Sequence, residues 1–262
     1  MIHLQDVLEL DFAFLETFTK RINTPWGALF FNNEQPTHYD SNHAHISESS
    51  EDPAVVIDEV INFYQSRKVI PRFYIYNIDK QQKLLTALSK TGFQYEELIS
   101  PVQLWNNQIA KRLSSDDITI EKVTSENYQA AFEIECSITE FGGKEAGEQV
   151  FETQFHHPAF THYLLKYKGV ASSTACVFTD GNQARLESVA TLEAFRGKGL
   201  VGELIHYIQN EVSKQGVSKL WVFPINESIE KVYQKYGFET VQKLTMGHAF
   251  LGGKSIKEIQ GK

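Results

Sequence analysis

Residues 160–192, FTHYLLKYKGVASSTACVFTDGNQARLESVATL, constrain the fold more than any other stretch of this chain. Apolar and polar residues alternate along it, the pattern of half-buried strands. Two turn signals, Lys168-Gly169 and Asp180-Gly181-Asn182, divide it into three antiparallel strands joined by hairpins. A glycine-rich turn, AFRGKG, follows directly and leads into an apolar-periodic segment that reads as a helix to about Gln215. Two hairpins, a turn and a helix, in that order, point to a sheet with helices packed on it.

The flanking segments fit that class. WGALFFN (26–32) and RFYIYNI (72–78) read as strands because aromatic and β-branched residues dominate them. DPAVVIDEVINFYQSRK, from Asp52, has helical apolar spacing, acids at its start and cations at its end. DKQQKLLTALSKTG reads as a helix stopped by Gly92. FQYEELISPVQLW is a strand expected to break at Pro101. The polar run NNQIAKRLSSDD, Asn106 to Asp117, is the linker candidate. ITIEKVT opens the second half as a strand. SENYQAAFEIECSI follows as a helix with Ser125 as its expected N-cap. KEAGEQVFETQF is a further helix. SKLWVFPI is a buried strand, NESIEKVYQKYG a helix stopped by Gly237, and FETVQKLTMGHAFLG the last strand or two.

LWVFPINESIEKVYQKYGFETVQKL resembles FYIYNIDKQQKLLTALSKTGFQYEEL. Both run strand, polar turn, helix, Gly-Phe, strand, which raises an internal duplication whose first copy lacks the glycine turn. The expected fold is therefore α/β, a mixed and largely antiparallel sheet with flanking helices. Two domains are expected, 1–112 and 113–262.

Composition sets limits on function. The 262 residues are 42% hydrophobic and 22% charged, as in an ordinary soluble protein with enough chain to bury real cores. The net charge of -8 disfavours non-specific nucleic-acid binding. The two cysteines, Cys136 and Cys176, form no CxxC pair and no ligand spacing, so a reducing, cytoplasmic setting is expected. The N-terminal stretch has no basic region or cleavage site, and no apolar run approaches a membrane span.

The stretch AFRGKGLVGELI carries the most chemistry. Glycine permits positive φ and close backbone approach to a ligand. A turn into a helix leaves amide N–H groups without helical partners, and these with the helix dipole suit a pyrophosphate. Arg196 and Lys198 add charge-assisted bonds to phosphate. Gly197 to Gly202 also matches the dinucleotide fingerprint GxGxxG literally. Yet antiparallel hairpins precede it, and the next strand ends in Asn226 where that fingerprint wants a ribose-binding acid. A P-loop fails because no Gly-Lys-Ser/Thr follows at the required spacing.

ESVATLEAFRGKGLVGELI resembles the acetyl-CoA-binding segment of the GNAT superfamily of N-acetyltransferases, with Arg196 and Gly199 in the motif's first two places. Val201 stands where that family has Gly or Ala. NESIEKVYQKYGFETV matches a second family segment through Asn226, Ile229, Tyr233 and Gly237-Phe238, with Ile229 where Ala is usual. The resemblance covers about residues 118–252. It implies transfer of an acetyl group from acetyl-CoA to an amine without an acyl-enzyme. It also implies that the backbone N–H groups of Val189, Ala190 and Thr191 line the cosubstrate and polarise its carbonyl. Residues Gly197, Lys198, Gly199, Leu200, Val201 and Gly202 would cradle the pyrophosphate. Tyr233 is the candidate acid for the leaving thiolate, with an apolar helical face as its competing role. Asn226 either bonds the pantetheine arm or caps its helix. Glu187 is the candidate base, ahead of Glu140 and Glu145.

Other clusters read as structural. HYDSNHAHI, from His38, has metal-compatible spacing but no second cluster to complete a site, so a polar loop or an interdomain contact is expected. His156-His157 reads as a helix-end pair. Three function classes remain open on the residues alone. They are an acetyl-CoA-dependent N-acetyltransferase acting on a small-molecule or peptide amine, an acyl-CoA-binding sensor or scaffold, and a dinucleotide-binding oxidoreductase. No metal, nucleic-acid or membrane partner is expected, and the N-terminal half is expected to shape the acceptor site or to mediate a homodimer.

Overall fold

The computed structural model describes residues 4–109, 116–137 and 144–259. It is a mixed α/β protein whose sheets are largely antiparallel, with helices on their faces. The chain collects into two compact units that are not consecutive in sequence. One comprises Met1–Leu10 and Pro101–Gln242, the other Asp11–Ser100 and Lys243–Lys262. The expected boundary at residues 112 and 113 lies outside the described residues.

In the first unit, the hairpin strands are β7 (Phe160–Tyr167), β8 (Val170–Asp180) and β9 (Gln183–Thr191). The edge strand β6 (Ile118–Lys122) pairs with β7. Strand β10 (Lys219–Val222) lies parallel to β9, and its other side pairs Trp221 and Val222 with Leu104 and Gln103 of β5 (Gln94–Trp105). Strand β5 runs unbroken through Pro101. An extended strand already holds the φ that proline imposes, so the residue removes one donor and nothing else.

Helix α6 (Leu200–Lys214) covers one face of this sheet. Its apolar residues Leu200, Leu204, Ile205, Ile208 and Val212 repeat every three to four positions and are buried against Ala184, Leu186, Leu220 and Val222. Each such side chain stabilises the unit by roughly 1.5–3 kcal/mol. Helices α4 (Tyr128–Cys136) and α5 (Lys144–His156) cover the other face, with Ala131, Ile134 and Phe151 clustered against Leu164 of β7. Helix α4 starts two residues later than it would with Ser125 as its cap. Its N-cap is Asn127, whose Oδ1 accepts from the Thr124 amide at 2.7 Å. Helix α7 (Glu227–Gln234) follows β10 and leads through Gly237 into β11 (Phe238–Phe250).

The second unit repeats part of this plan. Strands β3 (His43–Ile46) and β4 (Arg72–Ile75) are parallel and joined by helix α2 (Pro53–Gln65). Helix α3 (Gln82–Lys90), then Gly92-Phe93, then β5 follow in the order α7, Gly237-Phe238, β11. Strand β4 pairs on its other side with Gly247–Phe250 of β11. Each unit thus extends its sheet with a strand segment from the other half of the sequence. Strands β1 (Lys20–Thr24) and β2 (Gly27–Phe31), and helix α1 (Leu4–Glu16), complete the described elements of the N-terminal half.

His43 and His45 lie in a buried strand, where a polar loop or interdomain contact was expected. Their rings are apolar enough on the faces to stack, His43 on Tyr74 at 3.9 Å and His45 on Tyr76 at 4.6 Å. His248 accepts from the Arg72 guanidinium at Nε2 (3.0 Å) and donates from Nδ1 to Glu96 (2.7 Å). A ring that accepts at one nitrogen and donates at the other is neutral. Burial pushes His45 down to about 3 and His248 to about 4. The unfolded chain therefore binds more protons than the folded one below about pH 6.5, and stability falls as pH drops from there toward those values. The slope is about 1.4 kcal/mol per pH unit for each histidine. Urea midpoints measured at pH 7 and pH 5 should show this loss, and His45→Phe should shrink it.

Candidate functional site

The site is built where β9 and β10 stop pairing. Their parallel ladder runs from Gln183–Lys219 to Leu186–Val222 and ends there, although β9 continues to Thr191. The cause lies on the other side of β9. Thr174 pairs with Ala190 and Cys176 with Glu187, so Ala175 alone faces Ser188 and Val189. Ser188 takes a left-handed conformation, φ 48°, to absorb the extra residue. This bulge bends β9 and increases its twist, and the open edge of Glu187–Thr191 faces a gap. The Ser173 hydroxyl, bonded to the Ala190 carbonyl (2.5 Å) and to Thr191 Oγ1 (2.7 Å), fixes the stretch beyond the bulge.

The glycine turn follows. Leu192 bonds back to Ser172 (3.0 Å), residues Glu193–Phe195 form a short 3₁₀ turn, and Arg196 Nε donates to the Thr191 carbonyl at 3.2 Å. Gly197 and Gly199 then take φ values of 77° and 76°, which a side chain would resist. Gly199 is the N-cap of α6 and offers no side-chain cap. Among the described residues, the amides of Gly197, Lys198, Gly199, Leu200 and Val201 find no backbone acceptor. Five adjacent donors at the positive end of a fifteen-residue helix form an anion cradle. Arg196 and Lys198 stand exposed beside it.

Val201 and Gly202 differ from their neighbours. The Val201 side chain packs against the core under α6, so it does not crowd the cradle. The Gly202 amide donates to the Gly199 carbonyl at 3.0 Å and belongs to the helix. A Cβ on Gly202 would meet the Tyr236 ring at 2.5 Å, so this glycine admits a close helix contact. The last glycine of the apparent GxGxxG is thus a packing residue against Tyr236.

Asn226 caps α7: its Oδ1 accepts from the Ile229 amide at 2.9 Å. Tyr233, one of the residues on the buried face of α7, packs against Phe238 at 5.6 Å between ring centres. Burial raises its phenol, and the Glu187 charge raises it further. Glu187 therefore lies within electrostatic range of Tyr233, and the phenol stays protonated. The Glu187 carboxylate is held by Arg185, two residues back on the same face of β9. The Arg185 guanidinium lies over the Phe223 ring at 4.4 Å.

The structure thus gathers Glu187, Val189, Ala190, Thr191, the turn 196–201 and Tyr233 in one unit. Glu140 and the Glu145 side chain lie outside the described residues. His156 ends α5, and His157 Nδ1 accepts from the Ala159 amide. Residue patterns did not single out Arg185, Cys176, His162 or Glu135. Among the described residues no group of three or more His, Cys, Asp or Glu is suited to a metal ion, and no helix is long and apolar enough to cross a membrane.

Comparison with known proteins fits this geometry. Residues 128–238 match the model of the acetyltransferase (GNAT) family. A Bacillus subtilis (strain 168) protein, provisionally named an acetyltransferase, is 26% identical over 130 residues, covering 48% of this chain and 86% of its own. A GCN5-related N-acetyltransferase from Kribbella flavida shares the fold with a TM-score of 0.68 at 16% identity, over 97% of each chain. A tandem GNAT protein from the clavulanic acid biosynthesis pathway aligns with a TM-score of 0.56 at 10% identity, covering 81% of this chain and 76% of its own.

Gly202→Ala should destabilise the protein by about 1–3 kcal/mol, the usual cost of overpacking, because the added methyl meets the Tyr236 ring. Denaturant unfolding of the variant checks this, and an unchanged midpoint would remove Gly202 from the packing of α6.

Proposed function

We propose that this protein, whose residues 128–238 match the acetyltransferase (GNAT) family, is an acyltransferase that moves an acetyl group from acetyl-CoA directly to a primary amine. The acceptor is the amine of a small molecule or peptide. One observation carries the reading: the open edge of β9, the donor cradle of the turn and the Glu187–Tyr233 pair meet at the end of one strand.

The residues fit an extended phosphate-bearing cosubstrate. The amides of residues 197–201 bond pyrophosphate oxygens, and Arg196 and Lys198 add charge. Amides of Val189, Ala190 and Thr191 that point away from β8 have no β10 partner and are left for a pantetheine arm or a thioester carbonyl. Asn226 is committed to its helix through Oδ1, and its side-chain amide nitrogen remains for the same arm.

Glu187 accepts the proton that the acceptor ammonium must lose. The freed amine attacks the thioester carbon and the C–N bond forms; as the C–S bond breaks, the nitrogen loses its second proton to solvent. Tyr233, held as the neutral phenol by burial and by Glu187, gives its proton to the departing sulfur and regains one from solvent.

The N-terminal half is proposed as a degenerate copy of the same plan. The α2 N-terminus, in the place of the cradle, is capped by Asp52, whose carboxylate accepts from Ala54 and Val55. Pro53 offers no amide at all, and Glu48 and Glu51 add negative charge, so this turn repels phosphate. A second reading, acyl-CoA binding without turnover, draws on Arg185, which occupies the candidate base.

Acetyl-CoA at about 100 times its Kd should stabilise the protein by roughly 2.7 kcal/mol, and NAD should not. CoA release with a panel of amines separates turnover from mere binding. Tyr233→Phe should lower kcat about 100-fold or more and leave the acetyl-CoA thermal shift in place. Unchanged turnover would take Tyr233 out of the mechanism.

A further inference from the structure

A row of polar groups crosses the sheet of the catalytic unit beneath α4. His162 on β7 pairs in register with Cys176 on β8, and Cys176 with Glu187 on β9. Register partners share a face, so the three side chains lie side by side. Cys176 Sγ is 3.5 Å from His162 Nε2, and His162 Nδ1 is 3.7 Å from Glu135 Oε2 of α4. Cys176, His162 and Glu135 are each 3% exposed or less. Among the described residues, Glu135 Oε2 and His162 Nδ1 have no hydrogen-bond partner. The charges of Glu135 and Glu187 both act on the Cys176 thiol.

Nothing in the fold requires polarity here. Phe151 packs on His162 at 4.6 Å, and apolar residues of similar volume commonly replace buried ionic groups without loss of stability. The row also ends at the residue that the acetyl-transfer reading makes the base, and the present inference rests on that reading.

We propose that His162 is a positioning residue for Glu187, acting through Cys176 and oriented by Glu135. A neutral His162 directs Nδ1–H toward Glu135 and accepts the Cys176 S–H at Nε2. Uptake of one proton at Nε2 reverses the second bond: Nε2–H donates to Sγ, and the S–H turns toward Glu187. Sulfur serves as both weak donor and weak acceptor, which this reversal needs. With the S–H on its carboxylate, Glu187 is the weaker base; with the S–H withdrawn, it is the stronger. Arg185 on β9 and Tyr233 on α7 face Glu187 in both states and do not change with the switch.

Nitrogen-15 NMR of the imidazoles in the full-length chain tests this, with His162→Gln assigning the signal. Glu187→Gln removes a negative charge and should lower the His162 midpoint by about half a pH unit or more. Cys176→Ala should shrink that response, and Cys176→Ser, which keeps a donor, should preserve it. A His162 midpoint indifferent to Glu187→Gln overturns the proposal, as does an imidazole that holds one protonation state from about pH 5 to pH 9. In an active enzyme, Cys176→Ala should also move the acid limb of kcat/KM while thermal unfolding reports the fold. Absence of turnover with every amine would end the acetyl-transfer reading and leave the NMR coupling to decide the His162 role.

Discussion

Strand β9 stops pairing with β10 before it ends, and the candidate site depends on that gap. The bulge at Ser188 and Val189 bends β9 while β8 still holds it from the other side. The backbone groups past Leu186 that point away from β8 are left with polar capacity and no β10 partner. An extended ligand can supply what the missing strand does not. The same bend carries the chain into the turn whose amides converge at the start of α6. A regular β9 would close the ladder and remove both halves of the site together.

The two faces of that strand do different work. Leu186 points into the apolar core under α6, where it packs with Ala184, Leu220 and Val222. Arg185 and Glu187 point to the face under α4 and α5, beside Cys176 and His162. The alternation of a strand thus separates the cohesive side from the chemical side within three residues. Tyr233 is reached by the Glu187 charge from α7, so the acid and base candidates sense one another without belonging to one element.

Sequence spacing made part of this legible. The turn at Asp180-Gly181-Asn182 fixes the β8–β9 register, and counting outward from it sets Cys176 opposite Glu187, as the structure does. The same counting from Lys168-Gly169 would set Thr161 opposite Cys176. A register shift between Leu165 and Lys166 brings His162 there instead. One extra residue in β8 changes which side chain joins the row, and no residue pattern announces it. The strand His43–Ile46 was hidden for a related reason: its histidines look like a loop until Tyr74 and Tyr76 stack on them.

The sequence by itself determined the order of elements, the hairpins, the glycine turn and the matching of Tyr233 and Gly237-Phe238 to a family pattern. These are local properties, set by φ preference, turn chemistry and periodicity over a few residues. Tertiary structure decided which strand each unit uses to extend its sheet. Both β5 and β11 have the alternation and the Gly-Phe entry that either position accepts. Only pairing settled that Gln103 and Leu104 lie against β10 and that Gly247–Phe250 lie against β4. It also decided that Gly202 serves packing, that Val201 turns into the core, and that Arg185, Cys176, His162 and Glu135 stand behind Glu187. Those assignments depend on distance in space between residues far apart in the chain, which no local pattern encodes.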